Sequence, residues 1–507
     1  MARAHLLTLS VAGVLCLVFG GCMLGPDYER PDTPTGADSF HWAPAETADP
    51  NTILGAWWRT FGDPHLNDLV EQALGQNYDL AIAAANVLEA EALLAQSRGA
   101  RLPTLDYSAG RTRSKSPLTT PIPGFTSDAT TSYTHQLNIS YIADLFGRLR
   151  RSERAAWADL AATQASRDAL IHTIIAQVIR TRVQIATQQR LLAVAQATTE
   201  SRRTTLEIVE RRYGQGLVGP VDIYLARENI AAARAAEPQL KQSLALAANA
   251  LDVLLGRAPA VAEPMPRSLP EVAALPPVPL TVPAALLDRR PDVRAAEMQL
   301  AAATERIGVS IAQMYPDLTL SAAGGYRASN FDALTLTENE LYSLTLQALA
   351  PIFRGGQLRA QVGAARARAQ RAAAGYAKTV LTAMREVEDA LATEQLLQQR
   401  LKELDVRLAE ARRAEVLATE RYGRGAETIL TVLETERRRL LAENERIQVQ
   451  GQLYNARIDL CLALGGDWSI ERTAAPAGDP PIRDHQEQTQ TVEHGSMRLW
   501  RNANHPD

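Results

Sequence analysis

Residues 211–225 read RRYGQGLVGPVDIYL, and residues 420–434 read ERYGRGAETILTVLE. The phrase Arg-Tyr-Gly-x-Gly occurs twice, each time interrupting a long alanine-rich stretch with a helical pattern. Glycine weakens a helix interior by about 0.5–1 kcal/mol relative to alanine and opens backbone angles closed to other residues. Gly214 and Gly216, then Gly423 and Gly425, therefore predict two reversals of chain direction. Gly219-Pro220 adds a stop and restart, with proline suited to the first turn of the returning helix. By themselves such phrases also fit generic helical-hairpin turns.

The repetition extends outward from these turns. QNYDLAIAAANVLEAEALLAQSRGARLPTLDYSAG (76–110) parallels RRPDVRAAEMQLAAATERIGVSIAQMYPDLTLSAAG (289–324), aligning Asp79 with Asp292 and Pro103 with Pro316. ADLFGRLR (143–150) echoes APIFRGGQLR (350–359), aligning Phe146 with Phe353. The offset shrinks between these anchors, so the first half carries the longer hairpin loop. Similarity over this length indicates an internally duplicated fold. The halves span 66–257 and 284–470, joined by a proline-rich linker at 258–283 that cannot sustain a helix. A polar tail at 471–507 has the composition of disorder.

Within each half the period changes from helical to two. Tyr133, Leu137, Ile139 and Tyr141 alternate with Thr134, Gln136, Asn138 and Ser140; Tyr342, Leu344 and Leu346 alternate with Ser343, Thr345 and Gln347. Leu105, Tyr107, Leu318 and Leu320 extend the pattern to the preceding strands. Two β-hairpins are predicted, at about 102–146 and 316–353. Strict alternation marks half-buried strands, on a soluble domain or as the wall of a lipid-facing, water-lined barrel. Four strands cannot close a barrel, and lipid tolerates no open sheet edge. Two copies would give eight strands and a filled interior, three would give twelve and a lumen. A conducting barrel favours three.

From Arg148 to Arg212 the sequence holds neither proline nor glycine, and Ile171, Val178, Ile185 and Leu192 recur every seven residues. Such a helix spans on the order of 100 Å, several times a bilayer core, and its heptads predict coiled-coil packing. A soluble coiled coil would explain this helix but not the strands.

The chain opens with Arg3 and the apolar run LLTLSVAGVLCLVFG, then GGC at 20–22. Residues 1–21 fit a signal peptide, and Gly20-Gly21-Cys22 resembles a bacterial lipobox, with Phe19 in place of the usual leucine. An ordinary signal peptide with an incidental cysteine is the alternative. Residues 22–65 form the predicted N-terminal extended segment. No later apolar run reaches about 18 residues, so any crossing is expected to use strands.

The formal net charge of −4 offers no basic footprint for nucleic acid. Cys16, Cys22 and Cys461 form no metal or disulfide pattern. The eight histidines are scattered, and no nucleophile elbow, phosphate loop or acid pair assembles a catalytic site. The seven methionines do not cluster as a soft-metal path would.

GPDYERP (25–31), WWRTFGDPHLNDLVEQAL (57–74), LLDRRPDVRAAEMQL (286–300) and the two RYGxG phrases together resemble bacterial outer-membrane efflux lipoproteins. These form the TolC-like outer-membrane factor family, in its OprM-like and NodT-like branch, and the similarity runs from about 22 to 470. The resemblance implies a mainly α protomer with a transmembrane β-barrel. Three protomers would form a twelve-stranded barrel in the outer membrane above a long periplasmic α-helical barrel. It implies no cofactor beyond a covalent lipid, N-acyl and S-diacylglycerol, on Cys22. The implied partners are a periplasmic adaptor and an inner-membrane pump, taken as proton-driven. A protein-secretion duct and a non-conducting envelope tether are the alternatives.

The resemblance also implies site residues. Gly216, Leu217 and Val218, with Gly425, Ala426 and Glu427, fall where adaptor hairpins dock. Leu430 and Glu434 share one helix face and would form an apolar constriction and an acidic, cation-favouring ring. Like charges in such a ring would raise the pKa of Glu434; alone, Glu434 reads as a solvated helix carboxylate. Asp222 and Tyr422 match a pair that hydrogen-bonds in the closed state. Two positions depart from the family pattern: Glu427 replaces an arginine and Thr431 an aspartate, so a second lock and a second acidic ring are not expected.

Overall fold

The computed structural model describes residues 22–31, 40–43, 56–115, 129–259 and 289–465. The signal peptide, the polar tail, nearly all of the linker and the outer part of the first hairpin connection lie outside them.

The described elements repeat. After a short 3-10 turn at Trp57–Phe61 come α1 (Pro64–Gln76), α2 (Tyr78–Gly99), β1 (Thr104–Ser114), β2 (Thr130–Ala143), α3 (Arg148–Gly214) and α4 (Pro220–Leu254). The second half gives α5 (Pro291–Ala312), β3 (Asp317–Ala328), β4 (Glu340–Leu349), α6 (Gln357–Gly423) and α7 (Ile429–Ala463). α3 and α6 both have 67 residues, α4 and α7 both 35, and α2 and α5 both 22. The chain is predominantly helical and duplicated, as its sequence predicts.

Each long helix is accompanied by two shorter ones that meet end to end. Asn77 holds one junction: its side chain accepts from the N–H groups of Asp79 and Leu80, and its amide donates to the Leu254 carbonyl at 2.9 Å. It thereby satisfies orphan groups at the start of α2 and the end of α4. In the second half Arg290 donates to the Ala463 carbonyl at 3.0 Å, joining α7 to α5. The same guanidinium pairs with Asp292 and Glu386.

The core lies around these junctions. Ile174, Ile175, Val178, Ile179, Val183 and Ile185 of α3 are buried against Leu251, Val293, Tyr376, Val380, Val387 and Ile458. Trp57, Phe61, Leu66 and Val70 of the 57–74 motif fill the same cluster. The predicted heptad stripe widens here into burial on most sides of α3, because α1, α2, α4, α5 and α7 all pack against it. Ile171 and Leu192, at the ends of the stripe, are only half-buried.

The strands form one antiparallel sheet in the order β1-β2-β3-β4, leaving β1 and β4 as open edges. Its register aligns the alternation across all four strands: Leu105 pairs with Ile139, Ile139 with Ala322, and Ala322 with Leu344. The opposite face carries Ser108, Gln136, Asn138, Ser321 and Thr345, where Asn138 donates to Ser108 at 3.0 Å. Leu344 and Tyr342 are 75% and 88% exposed in the single chain, an apolar surface that demands a covering.

Two expectations change. α2 is long and apolar enough to span a membrane, with mean hydropathy 1.2 over its best window; alanines raise the mean around Glu89 and Glu91. It lies against α3 instead, and Arg98 pairs with Glu153 of that helix. Gly214 and Gly423 are the last residues of α3 and α6, so only the second glycine of each phrase leaves the helical region.

Candidate channel-tip site

Both RYGxG phrases are turns between a long and a short helix. Gly216 and Gly425 have φ of +70° and +79°, the left-handed region that only glycine enters without strain. Pro220 opens α4, while the Thr428 hydroxyl accepts from the Thr431 N–H to cap α7. The two hairpins pack together through Val209, Ala226, Ala418, Tyr422, Ile429 and Val432.

The two tyrosines of the repeated phrase occupy different environments. Tyr213 is exposed, whereas Tyr422 is buried. The difference is Arg212, whose guanidinium lies 4.7 Å from the Tyr422 ring centroid and donates to the Tyr422 carbonyl. The expected Asp222–Tyr422 hydrogen bond is not made: the Tyr422 hydroxyl is buried with no hydrogen-bond partner. Burial raises its pKa; Arg212 opposes the shift, and the nearby Asp222 carboxylate adds to it. Asp222 sits in the first turn of α4, within electrostatic reach of Tyr422 but unbonded to it.

Leu430 is 61% exposed while its neighbours Ile429 and Val432 are buried, so it faces away from the protomer's own packing. Glu434 is one turn further on the same face. Its carboxylate accepts from Arg437 at 2.8 and 2.9 Å and from Arg438 at 2.7 Å. These two charge-assisted contacts hold its pKa down at about 2, opposite to the rise expected of a ring of bare acids. Glu434 is a carboxylate held between two cations.

The remaining tip residues divide by exposure. Gly216, Leu217, Gly425 and Ala426 are exposed, and Val218 is half-buried. Glu427, expected as a contact residue, accepts from the Thr428 N–H at 3.1 Å and the Thr431 hydroxyl at 2.9 Å. These bonds lower its pKa. Glu427 and Thr431 thus bond to each other at the helix start.

Above the tip, buried Arg202 binds Glu436 at 3.1 Å and the Asn229 carbonyl at 2.7 Å, tying α3 to α7 and α4. Arg212, Arg437, Arg438 and this pair were absent from the sequence-based site. Glu434 with Arg437 and Arg438 stands at helical i, i+3 and i, i+4 spacing, a signal already present in ETERRR (434–439).

The N-terminal segment is also fixed. The Leu24 N–H donates to the Phe146 carbonyl at the β2–α3 junction. Buried Arg151 donates to the carbonyls of Leu24 and Gly25 and pairs with Glu305 at 2.9 Å. Tyr28 and Arg30 bond Glu297 of α5. Cys22 is exposed and unpaired beside this junction.

A cavity of about 410 Å³ lies away from the tips, lined by Arg180, Arg290, Asp292, Arg385, Glu386 and Asp459 among others. Its arginines are ion-paired to its acids. It presents no catalytic constellation.

Residues 69–257 and 282–466 match the family described as outer membrane efflux protein. The chain belongs to this family, which is one of efflux channels and not of enzymes. It is 32% identical over 464 residues to the solvent efflux pump outer membrane protein SrpC of Pseudomonas putida, covering 90% of this chain and 97% of that one. It is 32% identical over 473 residues to the pyoverdine export outer membrane protein OpmQ of Pseudomonas aeruginosa, covering 90% and 96%. Among solved structures, the outer-membrane channel OprN superposes with a TM-score of 0.82 at 31% identity, covering 88% of this chain and all of that one. The open state of the Neisseria gonorrhoeae MtrE channel gives 0.75 at 28%, covering 88% and 98%. The fold is that of the TolC-like outer-membrane channels.

Proposed function

We propose that three copies of this chain form the outer-membrane exit duct of a tripartite efflux pump. The observation that carries this is the four-stranded sheet, open at β1 and β4, with a continuous exposed apolar face. An open sheet edge is not tolerated in lipid, and three copies supply a twelve-stranded closed barrel with room for a lumen. The 67-residue helices then project about 100 Å into the periplasm as a helical barrel. The exposed residues of both tips receive a periplasmic adaptor, which joins the duct to a proton-driven inner-membrane pump.

Cys22 carries the lipid anchor in this reading. It lies two residues before Leu24, which is bonded where β2 ends and α3 begins. Ile352 and Phe353, 97% and 87% exposed, mark the corresponding junction of the second half. Acyl chains on Cys22 would therefore enter the inner leaflet where the strands leave it. The cargo is small and organic, in keeping with relatives named for solvent, toluene and pyoverdine export. Those names favour small-molecule efflux over protein secretion.

The test is native mass spectrometry of the purified protein followed by planar-bilayer recording. A trimer with discrete conductance is expected; a monomer, or a trimer silent even as Leu430→Ala, would overturn the duct. Radiolabelled palmitate should enter wild type but not Cys22→Ser.

A further inference from the structure

The apolar face of the sheet has a charged upper edge. Along β1, residues of that face run Leu105, Tyr107, Ala109, Arg111 and Arg113, moving away from the helices. Arg111 pairs in register with Tyr133, and Arg113 with Thr131. One row below, the His135 and Tyr326 rings stack at 5.3 Å, and Tyr107 meets His135 edge-on at 6.4 Å. Aromatic rings bounding an apolar band mark the headgroup level of a barrel. Arg111 places its guanidinium 5.6 Å from the Tyr133 ring centroid. Among the described residues, neither Arg111 nor Arg113 has a carboxylate partner.

We infer that Arg111 and Arg113 form a lateral binding site for the phosphates of a phosphorylated glycolipid of the outer leaflet, the chemistry of lipid A. This rests on the membrane-spanning reading above. β1 and β2 run away from the periplasmic helices out to the Ser114–Thr130 pair, so these guanidiniums meet the outer leaflet. A guanidinium offers a fork of donors matched to phosphate oxygens. The rings below offer a flat apolar floor for acyl chains, continuous with the leucine band. Among the described strand residues this face carries a single carboxylate, Glu340, on the far edge strand opposite Tyr326. In a closed ring that edge meets β1 of a neighbouring copy, so the competing role for the arginines is an ion pair between protomers.

The experiment measures the thermal unfolding shift of the purified trimer on adding diphosphoryl lipid A, its dephosphorylated form, or inorganic phosphate. Wild type should be stabilised by the diphosphorylated lipid alone. Arg111→Gln with Arg113→Gln should bind it about 30-fold more weakly, and the paired lysine variant should recover part of that. An equal shift in the glutamine variant, or one indifferent to the lipid phosphates, overturns the site. A variant that unfolds earlier without lipid yet keeps the full lipid shift assigns the arginines to the protomer interface and also overturns it. Leu344→Trp probes the spanning reading separately. Quenching by brominated lipid without a lipid A shift sinks only this inference, whereas absence of quenching sinks the spanning reading with it.

Discussion

Arg212, from the first RYG phrase, lies with its guanidinium 4.7 Å from the ring centroid of Tyr422, from the second. One residue of each repeated word therefore touches the other word, joining the two hairpins at their tips. A partly desolvated cation–π contact contributes on the order of 1 kcal/mol, and the bond to the Tyr422 carbonyl adds to it. Arg212→Gln should loosen the tip and raise resting conductance several-fold, read as single-channel open probability. Asp222→Asn should have the smaller effect, because Asp222 makes no hydrogen bond to Tyr422. The reverse ranking would restore the Asp222–Tyr422 lock.

Gly308 is a second point of sensitivity. A Cβ there would stand 2.8 Å from the Leu24 carbonyl oxygen and 2.9 Å from the Arg151 side chain. Overpacking of this kind costs typically about 1–3 kcal/mol, and the N-terminal segment is the part able to yield. Gly308→Val should release it while leaving the helices folded. Limited digestion with glutamyl endopeptidase should then cut faster at exposed Glu29, with unchanged far-ultraviolet circular dichroism. Equal cleavage rates would show that Tyr28 and Arg30, through Glu297, hold the segment without the Gly308 contact.

The fold was legible because its signals are local and repeated. Alternation gave the strands, the glycine phrases gave both reversals, and self-similarity gave the second half once the first was read. The site was less legible because its partners are distant or depend on rotamers. Nothing local to Tyr422 says that Arg212, on another helix, covers its ring while Tyr213 stays exposed. Glu434 differs for another reason: its charge is set by Arg437 and Arg438, one turn beyond the Leu430–Glu434 pair. α2 shows no continuous apolar run because its apolar character is spread over alanines rather than concentrated in leucines.

Buried Glu394 and Arg457 join α6 to α7, with Arg457 Nε 3.1 Å from both carboxylate oxygens. Removing one partner from such a pair leaves an unpaired buried charge and costs about 3–5 kcal/mol, while replacing both with apolar residues can be nearly neutral. Arg457→Met should therefore lower the thermal unfolding midpoint, and adding Glu394→Leu should recover much of the loss. Cys461 lies beside this pair, its thiol pushed up to about 12 by burial. It should resist alkylation until the helices separate, giving a second readout of the same event. Additive losses in the double variant would mean that the two side chains are not energetically coupled.

In the proposed duct, a constriction at Leu430 and Glu434 would take its pH response from Glu434. Its carboxylate is held at a pKa of about 2 by Arg437 and Arg438, and a depressed carboxylate stays ionised until pH falls to the lowered value. Between pH 7 and 4 its charge should not change, so it should add nothing to any pH dependence of the duct's ion selectivity. Reversal potentials in a salt gradient at pH 7, 5.5 and 4 should shift with pH no more in wild type than in Glu434→Gln. Glu434→Gln removes the one anion from a group containing two exposed cations, so it should shift selectivity toward anions at every pH. Arg437→Gln with Arg438→Gln should do the opposite and also free Glu434 to titrate near the ordinary glutamate range. Selectivity that titrates near pH 4–5 in the wild type but not in Glu434→Gln would mean that assembly separates Glu434 from its arginines and restores the bare acidic ring.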